Sequence, residues 1–378
     1  MEQPVPNSMS NYIYLDSKII GTAYQIVQYF NSQVFDRYNT VIYFKTYKES
    51  YKQFVHIFKK NYIQFNAFEK FSDINMASNA VVFYLFNAQS NCRLVANRNL
   101  KHIFVTHGES NKAASIKPII RIYDYVVTAG QMGINRYLSH KIFNSMDVAE
   151  GRIIMMGNTF VGRSAYVHNK NADALLYAPT WEGGVPEENY SSLEWPNIFQ
   201  KLLDYLRQKN VNTLVIQPHP NLGHRLDYYK VKLYAGTKFL LQSGIQIVMV
   251  KDSIEAQDYY YKLKFKSFFK FENKNSSIEI QEAFSDISAM EAQLYADFIP
   301  VRTFIKDEQY NFKDEFLNHY YQQTAILTDH HIMDYHNPLK NDFYNYIFGY
   351  SFPLVFNMSL HERIEWLVHH IYSDSKIV

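Results

Sequence analysis

A single cysteine, Cys92, stands among 378 residues, so no intrachain disulfide and no cysteine-based zinc site can form. A reducing cytoplasm is the compartment this implies. A surplus of either charge is also missing: 38 basic residues against 36 acidic ones give a formal charge of +2, too even to draw nucleic acid by electrostatics alone. No nucleic-acid partner is expected, and an anionic ligand must be held locally. Long apolar runs are absent as well, none approaching the roughly 18 residues of a membrane-spanning helix. Met1–Asn7 shows neither the basic start nor the apolar stretch of a secretory signal. The expectation is a soluble chain, or one that touches a membrane only peripherally. Repeats at solenoid spacing and low-complexity tracts are lacking too.

What the chain does have is bulk and aromatic residues. At 378 residues it exceeds the size at which one hydrophobic core usually stops growing, so two domains of similar size are expected. The 32 Tyr and 28 Phe are scattered rather than grouped in stacking motifs, which favours aromatic-rich cores over a nucleic-acid platform.

Short β-branched and aromatic runs alternate with longer segments of helical period. Thr40–Phe44, Ala80–Phe86, His102–Thr106, Tyr125–Ala129 and Ile153–Met156 read as strands, with a helix over Tyr47–Lys60. A second series follows in Ala174–Ala178, Thr213–Gln217, Gln246–Lys251 and Phe298–Phe304, with helices over Pro196–Lys209 and Asp227–Ser243. This βα alternation predicts an α/β protein with largely parallel sheets. The predicted domains are 1–158 and 172–340, joined by a connection over 159–171. A helical tail over 341–378 is expected to pack on the body through Leu360, Ile364, Leu367 and Ile371, which share one helical face.

Polar interruptions stand at the ends of these strands, where ligands collect in open α/β sheets. His107 follows His102–Thr106 and precedes Gly108, placing an imidazole that titrates near neutrality beside a residue that allows close backbone approach. A structural strand-end histidine is the competing reading; Glu109, Ser110 and Lys112 add a carboxylate, a hydroxyl and a cation, which turns the balance toward function. Pro179 ends the strand of Tyr177-Ala178-Pro179-Thr180-Trp181 and presents Thr180 and Trp181, the indole serving either to line a pocket or to close an apolar layer. His219-Pro220-Asn221, with Arg225 ahead of a helix, offers donors and a helix N-terminus suited to phosphate, against the alternative of a solvated polar loop. In Ser285-Asp286-Ile287-Ser288-Ala289, Ser288 is placed as a helix cap, a role compatible with holding a phosphate oxygen while Asp286 accepts a ligand hydroxyl.

Asp329, His330, His331, Asp334 and His336 have the composition of a metal cluster but match no closed zinc spacing and read as a surface turn. Asp-x-Asp occurs nowhere, which removes the carboxylate pair by which many nucleotide-sugar enzymes hold a metal ion. No metal or other cofactor is expected.

The order His107-Gly108, Tyr177–Trp181, His219–Asn221 and Ser285–Ser288 resembles the CDP-glycerol glycerophosphotransferase family of teichoic-acid and capsule synthesis. The likeness covers most of residues 80–305, and Asn87–Asn91, His107–Lys112 and Ala129-Gly130-Gln131 are similar to its capsule-associated branch. The resemblance implies a GT-B architecture, two Rossmann-like domains facing across a cleft. It also implies transfer of glycerol phosphate, or a related polyol phosphate, from a CDP-activated donor to a hydroxyl of a growing polymer or lipid-linked acceptor, releasing CMP. His107 would then be the base on the acceptor hydroxyl; His219, Asp286 and Ser288 would hold the donor, with Arg225 as helper. Lipid-linked acceptors imply peripheral contact with the inner face of the cytoplasmic membrane. The sequence departs from the family at Ala289, which supplies no second hydroxyl, at Asn111, where aspartate is frequent, and in lacking a long amino-terminal extension. The alternative reading is a metal-independent GT-B glycosyltransferase using a nucleotide-sugar donor.

Overall fold

A computed structural model describes residues 11–105, 108–250, 259–266, 269–272, 277–328, 330–332 and 340–374. They divide into two compact units: one takes in the chain up to Glu109, Ile116–Gly162 and the residues from Asn345 onward, the other Ser110–Ser115 and Arg163–Tyr344. The division is thus not a single cut: the tail from Asn345 groups with the first unit and a six-residue stretch after Glu109 with the second.

The first unit holds β1 (Asn11–Leu15), β2 (Thr40–Lys45), β3 (Gln64–Phe68), β4 (Val81–Tyr84), β5 (Lys101–Phe104), β6 (Tyr125–Thr128) and β7 (Ile153–Met155). They form one sheet in the order β3-β2-β1-β4-β5-β6-β7, parallel throughout. The second unit holds β9 (Leu175–Ala178), β10 (Thr213–Ile216), β11 (Gln246–Val250), β12 (Lys270–Glu272), β14 (Ala283–Asp286), β15 (Val301–Ile305) and β16 (Ala325–Leu327), ordered β12-β11-β10-β9-β14-β15-β16 and again parallel. A small parallel pair, β8 (Tyr166–His168) with β13 (Ile278–Ile280), completes it. Both main sheets grow outward in two directions from their first strand, the doubly wound Rossmann pattern that the βα alternation predicts.

Burial on both faces explains the sequence of these strands. Every residue of β1, β4, β9, β14 and β15 is buried, and of these β4 and β9 read as the continuous apolar runs that burial on both faces favours. Helix Tyr51–Lys60 instead buries a stripe, Phe54, Ile57 and Phe58, each worth roughly 2 kcal/mol of apolar burial. Helix Leu360–Asp374 buries Ile364, Leu367, Val368 and Ile371 in the core that contains Ile13, Val81, Phe83 and Ile154. The predicted face of the tail is therefore a core face of the first unit.

Several boundaries shift for identifiable reasons. The strand expected over Phe298–Phe304 begins at Val301, because Phe298 has φ +57° and Pro300 cannot donate to a ladder. Helix Tyr47–Lys60 starts only at Tyr51. The expected ends at Thr106 and Lys251 lie outside the described residues.

Candidate functional site

In the second sheet, β9 is flanked by β10 on one side and β14 on the other, so the chain reverses its direction of growth there. Side chains beyond the carboxyl ends of these three strands occupy the place where such sheets bind ligands. The β9–β10 pairing continues past both strands: the Gln217 amide donates to the Tyr177 carbonyl at 3.0 Å, and His219 N to Pro179 O at 3.0 Å. This ladder brings Trp181 and His219 together, their rings stacked at 5.8 Å between centroids and 17° between planes. The His219 Nδ1 accepts the Asn221 amide hydrogen at 3.1 Å, so the neutral ring carries its hydrogen on Nε2. His219, Trp181 and Asn221 are half-buried, and Pro220 is exposed between its neighbours.

On the β14 side, Asp286 is fully buried. Its Oδ2 accepts the Thr180 amide at 2.6 Å and its Oδ1 the Ser192 amide at 3.1 Å. Burial raises its carboxyl to about 6, against the lowering effect of these bonds and of Lys112. The expected contact of Asp286 with a ligand hydroxyl is corrected accordingly: with both oxygens on backbone amides and no surface, Asp286 fastens the loop after β9. Lys112 reaches the same loop, its Nζ donating to Thr180 Oγ1 at 2.6 Å and lying 5.7 Å from the centre of the Tyr190 ring. Lys112 is half-buried, and that burial lowers its ammonium to about 8. Ser110 Oγ accepts the Lys112 amide at 3.3 Å, and the Ala113 amide donates to Tyr190 Oη at 3.0 Å. These bonds explain why the stretch from Ser110 to Ser115 belongs to the second unit.

A residue that no sequence motif singles out organises the turn after β10. Glu182, fully buried, accepts the amide hydrogens of Gly223 at 2.9 Å, Arg225 at 2.7 Å and Leu226 at 2.9 Å. The backbone donors expected to receive phosphate are thus filled by the protein's own carboxylate, which corrects that expectation. Arg225 is equally occupied: its guanidinium donates to the carbonyls of Gly183 and Glu182 at 3.0 and 2.9 Å, so it closes the turn rather than extending toward a ligand. Gly183 follows at φ +72°, where a Cβ would stand 2.6 Å from the Glu188 carbonyl oxygen, so the turn requires glycine.

Ser288 caps helix Ala289–Ala296, its Oγ accepting the Met290 amide at 3.3 Å. Three residues on, Glu291 has the spacing of a capping-box partner but turns inward, accepting Thr303 Oγ1 at 2.9 Å and Tyr321 Oη at 2.7 Å. Burial raises it to about 7. Asn111 Nδ2 reaches the same Tyr321 hydroxyl at 3.4 Å.

In the first unit, Gly108 adopts φ +133°, a conformation that favours glycine. Glu109 is buried and ion-paired with buried Arg136, and its Oε2 accepts the Ala129 amide at 3.0 Å. Its two oxygens thus fasten β6 and the following helix, Gln131–Ser139. His107 lies outside the described residues, as do Asp329, Asp334 and His336. Among the described residues no group of three or more His, Cys, Asp or Glu is placed to hold a metal, and no helix is long and apolar enough to cross a membrane.

No known family profile and no curated protein matches the chain. Solved structures overlap it loosely. HepE from Anabaena in complex with UDP shares 8% identity at a TM-score of 0.42, covering 98% of each chain. MurG from Acinetobacter baumannii shares 9% at 0.41, covering 96% of this chain and 99% of its own. A variant O-GlcNAc transferase from Thermobaculum terrenum shares 10% at 0.37; the alignment covers 98% of this chain but only 66% of the transferase. The fold assignment rests on strand order and parallel pairing.

Proposed function

We propose that this chain is a transferase whose second unit binds a nucleoside-diphosphate-linked donor. The observation that carries the reading is the grouping of Lys112, Trp181 and His219 beyond the carboxyl ends of β9 and β10, beside the strand-order reversal. An ammonium and an imidazole Nε2–H suit a diphosphate, and a stacked indole suits the planar part of a nucleotide. Behind this face, Asp286, Thr180, Glu182 and Arg225 hold the loops in place. The architecture we propose is GT-B, since two Rossmann-like units in one chain are its components.

The finer reading is transfer of glycerol phosphate, or a related polyol phosphate, from a CDP-activated donor to a hydroxyl of a capsule or teichoic-acid-like acceptor, polymeric or lipid-linked. The acceptor oxygen attacks the β-phosphorus, a new P–O bond forms, and the bond to CMP breaks. His107 is proposed to take the hydroxyl proton, and Lys112 to offset charge gathering on the transferred group. No metal is required in this reading, and a lipid-linked acceptor would bring the protein to the inner face of the cytoplasmic membrane. The test is incubation of the purified chain with CDP-glycerol and candidate acceptors, followed by mass spectrometry of the released nucleotide. CMP together with a heavier acceptor supports phosphoryl transfer. Release of only CDP or UDP from nucleotide sugars replaces it with glycosyl transfer.

A further inference from the structure

The first sheet has its own strand-order reversal, at β1 between β2 and β4, and the side chains there have taken no part in the donor reading. β1 ends at Leu15 and is followed by Asp16; β4 ends at Tyr84, three residues before Asn87; β2 ends at Lys45, two residues before Tyr47. The β1–β4 register pairs Ile13 with Phe83. Carried forward in parallel, it brings Asp16 and Asn87 to the same carboxyl edge of the sheet.

The polar atoms at this edge are incompletely paired. Asp16 Oδ1 accepts the Tyr47 hydroxyl, but Asp16 Oδ2 is buried and has no hydrogen-bond partner among the described residues. Both polar atoms of Asn87, Oδ1 and Nδ2, are buried and equally unpartnered, while the hydroxyl of Tyr14, a residue only 2% exposed, faces the Asp16 carboxylate. Buried polar groups in native proteins are nearly always hydrogen-bonded, and an unmade bond costs about 1–3 kcal/mol. A wholly unpartnered Asn87 beside a carboxylate with an oxygen to spare, at the position where such sheets take ligands, is what a ligand site requires.

Their chemistry restricts the ligand. Asp16 Oδ2 accepts only, Asn87 both donates and accepts, and the Tyr14 phenol can do either. A hydroxyl group meets all three needs, since each one both donates and accepts. Cations surround the same edge: the exposed Lys18 ammonium lies 5.0 Å from the centre of the Tyr47 ring, Lys45 5.9 Å from it, and the exposed Arg93 guanidinium 5.7 Å from the Phe71 ring. Lys45 also donates to the Glu69 carbonyl at 3.0 Å, so Lys18 and Arg93 are the cations turned to solvent. Acceptors and donors for hydroxyls, rimmed by positive charge, describe a site for a molecule that carries hydroxyls and an anionic ester together.

We propose that the carboxyl edge of β2, β1 and β4 in the first unit is a binding site for a hydroxylated phosphate ester, its hydroxyls on Asp16, Asn87 and Tyr14 and its phosphate toward Lys18 and Arg93. The proposal stands on the first unit alone and does not depend on the donor reading.

Isothermal titration of the full chain with sn-glycerol 3-phosphate, glycerol and inorganic phosphate tests it. These probes separate hydroxyl recognition from charge. Saturable binding of sn-glycerol 3-phosphate, with each fragment at least about tenfold weaker, is expected, because a site built to pair hydroxyls rejects a ligand without them. Asn87→Ala and Asp16→Asn should each weaken that binding about tenfold, while Lys60→Ala, an exposed cation at the end of helix Tyr51–Lys60, leaves it unchanged. Arg93→Ala, at an exposed position that cannot disturb the core, should weaken sn-glycerol 3-phosphate and phosphate alike, so a folding defect in the buried variants would not hide the answer. Phosphate binding as tightly as its glycerol ester, affinity unaltered by Asn87→Ala and Arg93→Ala, loss of binding in Lys60→Ala, or no saturable binding overturns the proposal.

Discussion

Lys112 Nζ donates to Thr180 Oγ1 at 2.6 Å, joining the stretch after Glu109 to the loop after β9. The ammonium is charged below about 8, the value to which burial lowers it. A diphosphate bound against it should hold most tightly while it is charged. Affinity for CDP-glycerol is therefore expected to fall as pH rises from 7 to 9, and to fall about tenfold at pH 7 in Lys112→Ala, comparable to losing one charge-assisted bond. Titration calorimetry at both pH values reads this. A pH profile for the variant identical to that of the wild type would remove Lys112 from the donor site.

Glu182 holds three backbone amides of the turn after β10. Glu182→Ala leaves those donors without their acceptor and frees the loop that presents His219. A loss of about 3 kcal/mol of stability is expected, with weaker donor binding as a consequence. Glu182→Gln, which keeps one carbonyl oxygen, should lie between the two. Chemical denaturation measures the loss, and an unaltered midpoint in Glu182→Ala would show that solvent replaces the carboxylate at no cost.

The readability of the chain follows its burial. β4 and β9, buried on both faces, are visible in the sequence because they are apolar throughout, and β2 and β10 because their inner residues Val41–Phe44 and Leu214–Ile216 are apolar. β14 was hidden, since Ser285 and Asp286 are polar yet wholly buried, the aspartate being satisfied by two amides from distant loops. β3 was hidden for the opposite reason: at the edge of its sheet, Gln64 and Asn66 are exposed and interrupt the apolar pattern. At the candidate site, the motifs stand at the ends of β9, β10 and β14, but nothing in them says which side chains face outward. Glu182 immediately follows Trp181, and nothing local indicates that it reaches a turn some forty residues later. Long-range pairing of this kind decides whether a donor-rich turn is open to phosphate or already filled.

The buried pair of Glu109 and Arg136 predicts an asymmetric response to substitution. Arg136→Met strands the carboxylate in the core, and a loss of about 3–5 kcal/mol is expected. Glu109→Gln combined with Arg136→Met removes the stranded charge while preserving an acceptor for the Ala129 amide. The double variant should melt above the single one. Thermal unfolding checks the order, and a double variant no more stable than Arg136→Met would mean that the charge is not what makes the loss large.

Glu291 gives the clearest dependence of stability on pH. Burial raises it from 4.5 to about 7, so between those values the folded protein holds a proton that the unfolded chain has released. Stability should therefore fall as pH rises through this window and level off above about 7. Asp286, raised from 3.8 to about 6, acts in the same direction at the lower end. The full Glu291 contribution is on the order of 3 kcal/mol, since each tenfold change in proton affinity is worth roughly 1.4 kcal/mol. Glu291→Gln removes the titrating group while its amide still pairs with the Thr303 and Tyr321 hydroxyls, which can turn to accept as well as donate. Urea unfolding at pH 5, 6, 7 and 8 should give a shallower decline for the variant, with its relative advantage greatest at pH 8. Parallel curves for the two proteins would place the Glu291 proton outside this range and the carboxylate in a wetter setting than its burial implies.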